Sequence, residues 1–319
     1  MIIFLAAGCS TAGNNAALSS ASKPDITLAA LPTADLAGLY IAQDDGLFAQ
    51  QGLHVKIEKI PSSAAIIADQ LKGEVDVSAG SYIPYILAQA AGAKFRILAE
   101  ASTLRPYTRV LVTDADSRIT TISDLVGGNI GVNGTNSIGT LLISALLSAR
   151  GISPNEVHLV TDSDGFPAMP AQLQGGAWDA AFLAEPYVSL AGEQYGERVL
   201  ADLDQGATLN FPIDGYVATQ AWAAKYPQTA AAFVRALEEG QRLADTDRAA
   251  VETAMRESDN LPSEVTAVMA LPDFPVGPVD EASIQREAEV MHQFGMLGSG
   301  FTTEAEQGAL VGSMISPGS

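Results

Sequence analysis

The spacing of apolar positions changes character along the chain. Short apolar runs at residues 26–31, 55–60, 75–77 and 95–99 read as strands. Between them, apolar residues recur at helical spacing in segments that begin near Asp35, Ser63 and Pro84. A second set of runs follows at 110–113, 129–132, 157–161, 180–183 and 199–203, with helices beginning near Ser137, Pro167 and Pro186. Strand–helix alternation of this kind predicts mostly parallel sheets with helices on both faces. From Ala221 onward the pattern is helical (AWAAKYPQTAAAFVRALEEGQRLA) and predicts no third sheet. Two segments also resemble each other: QLKGEVDV at 70–77 and QLQGGAWDA at 172–180. Each ends an amphipathic helix, turns on glycine and enters a short strand at an aspartate, with a proline soon after. A common helix–Gly–strand unit recurs by chance. The architectural reading is a chain of two similar α/β halves, whose ligands sit beyond the carboxyl ends of the strands.

Composition narrows the partners. Hydrophobic residues make up 47% and charged residues 17%, which suits a packed globular body rather than a disordered one. The formal net charge of −20 turns away nucleic acid and anionic lipid. An anionic small ligand stays possible, because local donors override a global field.

Cys9 is the only cysteine, which excludes an internal disulfide, and the three histidines lie far from it, which argues against a metal site. Ala6-Ala7-Gly8-Cys9 follows a short apolar run and resembles a lipobox, the bacterial signal whose cysteine is lipidated and becomes the mature N-terminus. Residues 1–9 are therefore expected to be the remainder of a truncated lipoprotein signal. Residues 10–23 (STAGNNAALSSASK) are expected to be a flexible tether, with the fold beginning near Pro24. No later stretch approaches the ~20 continuous apolar residues of a membrane span.

Several motifs stand in a recognisable order. Leu36-Ala37-Gly38-Leu39-Tyr40-Ile41-Ala42-Gln43 leads into Gly46-Leu47-Phe48 and Gln51-Gly52-Leu53-His54-Val55. Asp76-Val77-Ser78-Ala79-Gly80-Ser81 with Pro84 comes next, then Ile122-Ser123-Asp124-Leu125 with Gly128 and Ile130-Gly131-Val132, then Ala181-Phe182-Leu183-Ala184-Glu185-Pro186-Tyr187. The series resembles the SsuA-like and THI5-like solute-binding proteins of the nitrate, sulfonate, taurine and thiamine-pyrimidine group, over roughly residues 26–240. The resemblance implies a type II periplasmic-binding-protein fold: two α/β domains, a hinge of two crossover strands, and a helical C-terminal region. It places the first domain at residues 24–108 plus 215–319 and the second at 109–214. It implies a monomer that captures a small molecule by hinge closure and delivers it to the permease and ATPase of an ABC importer. That work is done outside the cytoplasm, on a lipid-anchored protein, without cofactor or metal.

Candidate binding residues follow from strand ends. Gly134-Thr135-Asn136-Ser137 precedes the apolar run 138–149, so a helix N-terminus faces out of a strand end and offers free N–H groups to an anion. Thr135 or Ser137 has the simpler alternative of capping its own helix, and the two roles coexist. Gly80-Ser81 repeats the arrangement in the first half, either as a tight turn or as a close backbone approach to ligand. Thr33 and Asp35 follow the first strand, Glu185 follows the strand at 180–183, and Asp214 adjoins the return crossover. Each acid is either a solvated or capping carboxylate or a group facing the cleft. Tyr82, Phe166, Tyr187 and Tyr216 either pack the core or stack on a ligand ring and enclose an ammonium group.

Carboxylates opposite an anion-binding helix end favour a zwitterion such as an aminosulfonate, or an amine-bearing heterocycle. Asp35 stands where the THI5-like pattern carries histidine, which weighs against a pyrimidine, and so many acids weigh against nitrate. The alternatives are a THI5-like pyrimidine-precursor synthase and a ligand-sensing domain for a membrane signalling partner. The synthase pattern needs a cysteine-rich motif and a histidine that this chain lacks. No GxSxG elbow, HExxH helix or phosphate-binding loop occurs either.

Overall fold

A computed structural model describes residues 23–315. The lipobox-like stretch at Cys9 and most of the expected tether lie outside the described residues. Ten strands are present among the described residues: β1 (Asp25–Ala30), β2 (His54–Lys59), β3 (Val77–Ser81), β4 (Phe95–Thr103), β5 (Arg109–Thr113), β6 (Asn129–Val132), β7 (His158–Thr161), β8 (Ala180–Ala184), β9 (Arg198–Asp202) and β10 (Pro212–Thr219). They form two five-stranded sheets, ordered β2-β1-β3-β10-β4 and β7-β6-β8-β5-β9.

The sheets repeat one plan. β1 runs parallel to β2 and β3, as β6 does to β7 and β8. The strand that arrives from the other half enters antiparallel: β10 between β3 and β4, and β5 between β8 and β9. The likeness between 70–77 and 172–180 corresponds to this plan, since each segment carries a helix end into the strand beside β1 or β6. The chain changes lobe twice, through residues 104–108 and 203–211. Each crossover holds one non-glycine residue in left-handed backbone, Tyr107 at φ 66° and Asn210 at φ 50°. Arg286 fastens the second crossover by donating to the carbonyls of Leu209 and Asn210.

Helices cover both sheets, and the long C-terminal group returns to the first lobe. Helix Pro227–Thr246 presses on helix Ala37–Asp44 at Gly240, where a Cβ would lie 2.2 Å from the Gly38 carbonyl oxygen. The buried residues of one apolar cluster, including Ile26, Leu28, Phe233 and Leu237, lie in the first lobe, with Leu190 of the second packed against them. The other runs from Ile83, Ile284 and Met291 in the first lobe to Leu111, Leu142 and Phe182 in the second. The two lobes therefore share apolar core behind the crossovers. The described chain starts at Lys23, whose ammonium pairs with Asp76 and whose N–H bonds to Thr229 Oγ1 at 3.2 Å. Among the described residues no helix is long and apolar enough to cross a membrane.

Candidate ligand-binding cleft

The carboxyl ends of the parallel strands in the two sheets open onto one cavity of about 390 Å³. The first lobe contributes Leu31, residues 61–65, Ser81, Pro84 and Asp214; the second contributes Arg109, residues 133–138, residues 161–163 and Phe166. A larger groove of about 600 Å³ runs along β4 and the helices Gln220–Lys225 and Pro227–Thr246. It is mostly apolar and is lined by none of the buried polar atoms that lack a partner. Six of those atoms, on Ser81, Arg109, Asn133, Asp162 and Asp214, belong to residues that line the smaller cavity.

Three helices point their N-terminal ends at this space. Ser63–Lys72 begins at the wall, with Ser62 accepting from the Ala65 N–H at 3.3 Å. Tyr82–Ala90 follows Ser81, and Ile138–Ala149 follows Ser137. Neither Ser81 nor Ser137 caps its helix through its side chain. The Ser137 hydroxyl donates instead to the Gly134 carbonyl at 2.6 Å, and the Thr140 hydroxyl donates to the Thr135 carbonyl at 2.6 Å. These bonds fold the 133–137 loop onto itself and leave the first N–H groups of the helix turned toward the cavity end. Unpaired N–H groups and aligned peptide dipoles give such ends partial positive charge.

The floor is charged and buried. Arg109, the first residue of β5, is 1% exposed; its Nη2 lies 2.7 Å from Asp35 and 3.7 Å from Asp214. Asp35 is further held by the Ser102 hydroxyl at 2.9 Å. Among the described residues, Asp214 has no hydrogen-bond donor to either oxygen. Burial, then the nearby Asp35 charge, push its carboxyl up to about 8, against the opposing pull of Arg109. Ser81 Oγ, Asn133 Oδ1, Asp162 Oδ2 and Arg109 Nε are likewise buried without partners, and all four residues line the cavity. Buried polar atoms are nearly always hydrogen-bonded, so their convergence on one cavity marks a place built for a polar ligand.

The residues expected from the sequence divide sharply. Ser81, Thr135, Asn136, Ser137, Phe166 and Asp214 stand on the cavity wall. Asp35 stands behind Arg109 as its counter-ion, not on the wall. Thr33 is buried beside it, its carbonyl accepting from the Leu36 N–H. Gly80 lets helix Ser63–Lys72 approach β3, since a Cβ there would lie 2.8 Å from Ser63 Oγ. Tyr82 is turned into the first lobe against Gly215, and Tyr216 is buried in the core.

Glu185 is turned away from the cavity. It accepts from the Ser189 N–H and hydroxyl and, across the lobes, from the Ala270 N–H at 2.9 Å. Its carbonyl accepts from the Ala34 N–H at 2.9 Å, a second interlobe bond. Burial pushes its carboxyl up to about 7, opposed first by those three donors. Tyr187 sits behind Phe166 in a stacked pair, with centroids 6.2 Å apart. Arg109, Ser63, Asn133 and Asp162 were not expected as wall residues. Arg109 had one visible signal: a cation directly before an apolar strand in a chain with only 17 Lys and Arg residues.

Residues 33–249 match the model of the family described as NMT1/THI5 like. The chain belongs to that family. It is 27% identical over 234 residues to a relative from Escherichia coli (strain K12) named as an aliphatic sulfonates-binding protein, covering 72% of this chain and 70% of the relative. The alkanesulfonate-binding protein SsuA from Xanthomonas axonopodis pv. citri, solved bound to MOPS, superposes with TM-score 0.75 at 19% identity, covering 88% of this chain and 96% of that one. The periplasmic nitrate-binding protein NrtA from Synechocystis PCC 6803 superposes with TM-score 0.77 at 15% identity, covering 93% and 87%. The fold is thus the type II periplasmic-binding-protein fold expected from the motif series, and the similar proteins are named as sulfonate- and nitrate-binding proteins.

The two lobes touch at the mouth of the cleft. Gly165 in the second lobe has φ 71°, and a Cβ there would lie 2.8 Å from the Pro61 carbonyl oxygen and 3.2 Å from the Pro61 Cα of the first lobe. Backbone cannot yield as a flexible side-chain tip does, and left-handed backbone disfavours any residue with a Cβ. Gly165→Ala should wedge the mouth open while leaving both lobes folded. Small-angle scattering should give the variant a larger radius of gyration than the parent; an unchanged radius with an unchanged circular-dichroism spectrum contradicts this contact.

Proposed function

We propose that this protein is the non-catalytic, extracytoplasmic solute-binding component of an ABC importer, taking a small organic solute with an acceptor-rich or anionic end and an amine. The observation that carries the reading is the convergence of unpartnered buried polar atoms and three helix N-termini on one interlobe cavity. The helix ends and the Asn133–Ser137 loop receive the acceptor-rich end. Asp214, the one wall carboxylate with both oxygens free of protein donors, receives the amine. Phe166 supplies an apolar face between them. Aminosulfonates such as taurine fit this polarity, as do amine-bearing heterocycles. The two sulfonate-associated relatives favour the former class.

The wall carries no nucleophile–base pair. Its hydroxyls belong to serine and threonine residues with no histidine beside them, and the three histidines of the chain, at 54, 158 and 292, are not among the cavity residues. The polarity of the cavity supports capture and release rather than chemistry. Delivery requires a permease and its ATPase as partners, and the monomer suffices to form the site. The lipobox-like Ala6–Cys9 supports a single lipid anchor holding the body at the outer face of the cell membrane.

Thermal-shift screening against sulfonates, aminosulfonates and aminopyrimidines identifies the solute, since a ligand at 100 times its Kd stabilises a protein by about 2.7 kcal/mol. Calorimetry then separates the acids. Asp214→Asn should weaken binding of the identified amine-bearing solute at least about tenfold, because a hydrogen bond to a charged group is worth about 1.5–3 kcal/mol. Glu185→Gln, whose carboxylate faces protein donors, should change affinity far less, and Ser137→Ala should cost little because the backbone donors remain. Equal affinities for Asp214→Asn and the parent would remove the acidic half of the site. Separately, Cys9→Ser, expressed behind a complete signal, should move the folded body from the membrane to the soluble fraction; unaltered fractionation rejects the anchor.

A further inference from the structure

The polar floor of the cleft is one positive charge short. Asp35 and Asp214 flank a single guanidinium, and Arg109 holds Asp35 at 2.7 Å but Asp214 only at 3.7 Å. No protein donor reaches either Asp214 oxygen. Among the described residues, the elements packed around it bring no second cation to Asp214. Glu287, on helix Glu281–Gln293, is fully buried with both oxygens unpartnered. The hydroxyls of Tyr82, Tyr85 and Tyr216 are buried nearby without partners, and Glu100 accepts from the Asp280 N–H. Asp162 lines the cavity from the opposite lobe, and Arg286 is turned outward to the second crossover. A carboxyl group enclosed in this way is neutralised rather than left as a bare charge. The cavity is the one direction from which a compensating cation can arrive.

We propose that Asp214 carries a proton in the free protein and exchanges it for the ammonium group of the captured solute, so that each binding event releases one proton to solvent. The proposal rests on the reading of this cleft as a solute site. The proton leaves the Asp214 carboxyl as the ammonium approaches, and the resulting carboxylate lies between the ammonium and Arg109. An amine-lacking analogue brings no replacement charge and leaves the proton in place. Selectivity for amine-bearing solutes then follows from charge replacement as well as from contacts.

The linkage has a definite sign. Burial raises the folded-state pKa of Asp214 to about 8, above that of an unfolded aspartate. Its contribution to stability is therefore fully present below the unfolded pKa and is lost as pH rises through about 8. Solute affinity runs the other way. Below that pH the proton must be displaced, so affinity for an amine-bearing solute should rise by about tenfold per pH unit.

Two arms test this. Without ligand, chemical unfolding of the parent and of Asp214→Asn is followed from pH 5 to pH 9. The parent should lose stability relative to the variant as pH rises, and parallel curves overturn the proposal. With ligand, taurine and ethanesulfonate are titrated by calorimetry in buffers of different ionisation enthalpy. Taurine should release about one proton from the parent and none from Asp214→Asn, while ethanesulfonate should release none from either. Taurine binding without proton release overturns the exchange. If neither sulfonate binds, the proposed solute class is wrong and methylammonium decides the exchange alone. Stabilisation of the parent by methylammonium that grows with pH and vanishes in Asp214→Asn supports it, and its absence overturns it.

Discussion

The buried pair of Arg109 and Asp35 is the interaction on which the rest of the site depends. Arg109 opens β5, the first strand of the second lobe, and Asp35 follows β1 in the first, so their 2.7 Å contact ties the lobes at the base of the cleft. Taking both charges out of water is costly, and removing one member of such a pair destabilises a protein by about 3–5 kcal/mol. The pair persists here with the help of the Ser102 hydroxyl on Asp35. It fixes a guanidinium at the cavity floor with one edge committed and Nε free of protein partners. Everything that faces the cavity is arranged around that fixed charge.

Two electrostatic tendencies meet there without cancelling. Helix ends from both lobes make the walls favourable to acceptor groups, while Asp214 and Asp162 make other parts favourable to donors. The chain as a whole is strongly acidic, yet the cavity is polarised rather than uniformly negative. Such a surface selects by the separation of charges within a small molecule. The contact of Gly165 with the wall residue Pro61 joins the lobes at the mouth, and the bonds from Ala34 and Ala270 to Glu185 join them away from the wall. Glu185 thereby acts as an interlobe fastening, although strand-end placement made it a candidate ligand group.

Most of the architecture was legible because strand–helix alternation is a strong local signal. Nine strands lie close to where apolar runs predicted them, and the helical C-terminal region begins at Gln220, one residue before the predicted start. β10 was legible only as a crossover. Its sequence, PIDGYVAT, opens with proline and carries aspartate and glycine, all depleted in strands, and its pairing partners lie far away in sequence. The site was harder to read for a related reason. Strand-end placement says that a residue is near the cleft but not which way its side chain turns. It therefore grouped Asp35, Glu185 and Asp214 together, although one is a counter-ion, one an interlobe fastening and one a wall residue. The helix at Ser63 was visible, but its aim at the same cavity required the register of two sheets. Arg109 emerges as central only because tertiary burial surrounds it with two carboxylates.

A crystal structure of the protein with its identified solute tests the central claim most directly. The account predicts the solute enclosed between the lobes, its acceptor-rich end against residues 133–138 and the start of helix Ser63–Lys72, and its amine within hydrogen-bonding distance of Asp214. A solute bound in the apolar groove along β4, or one seated in the cleft with its amine remote from Asp214, would contradict it.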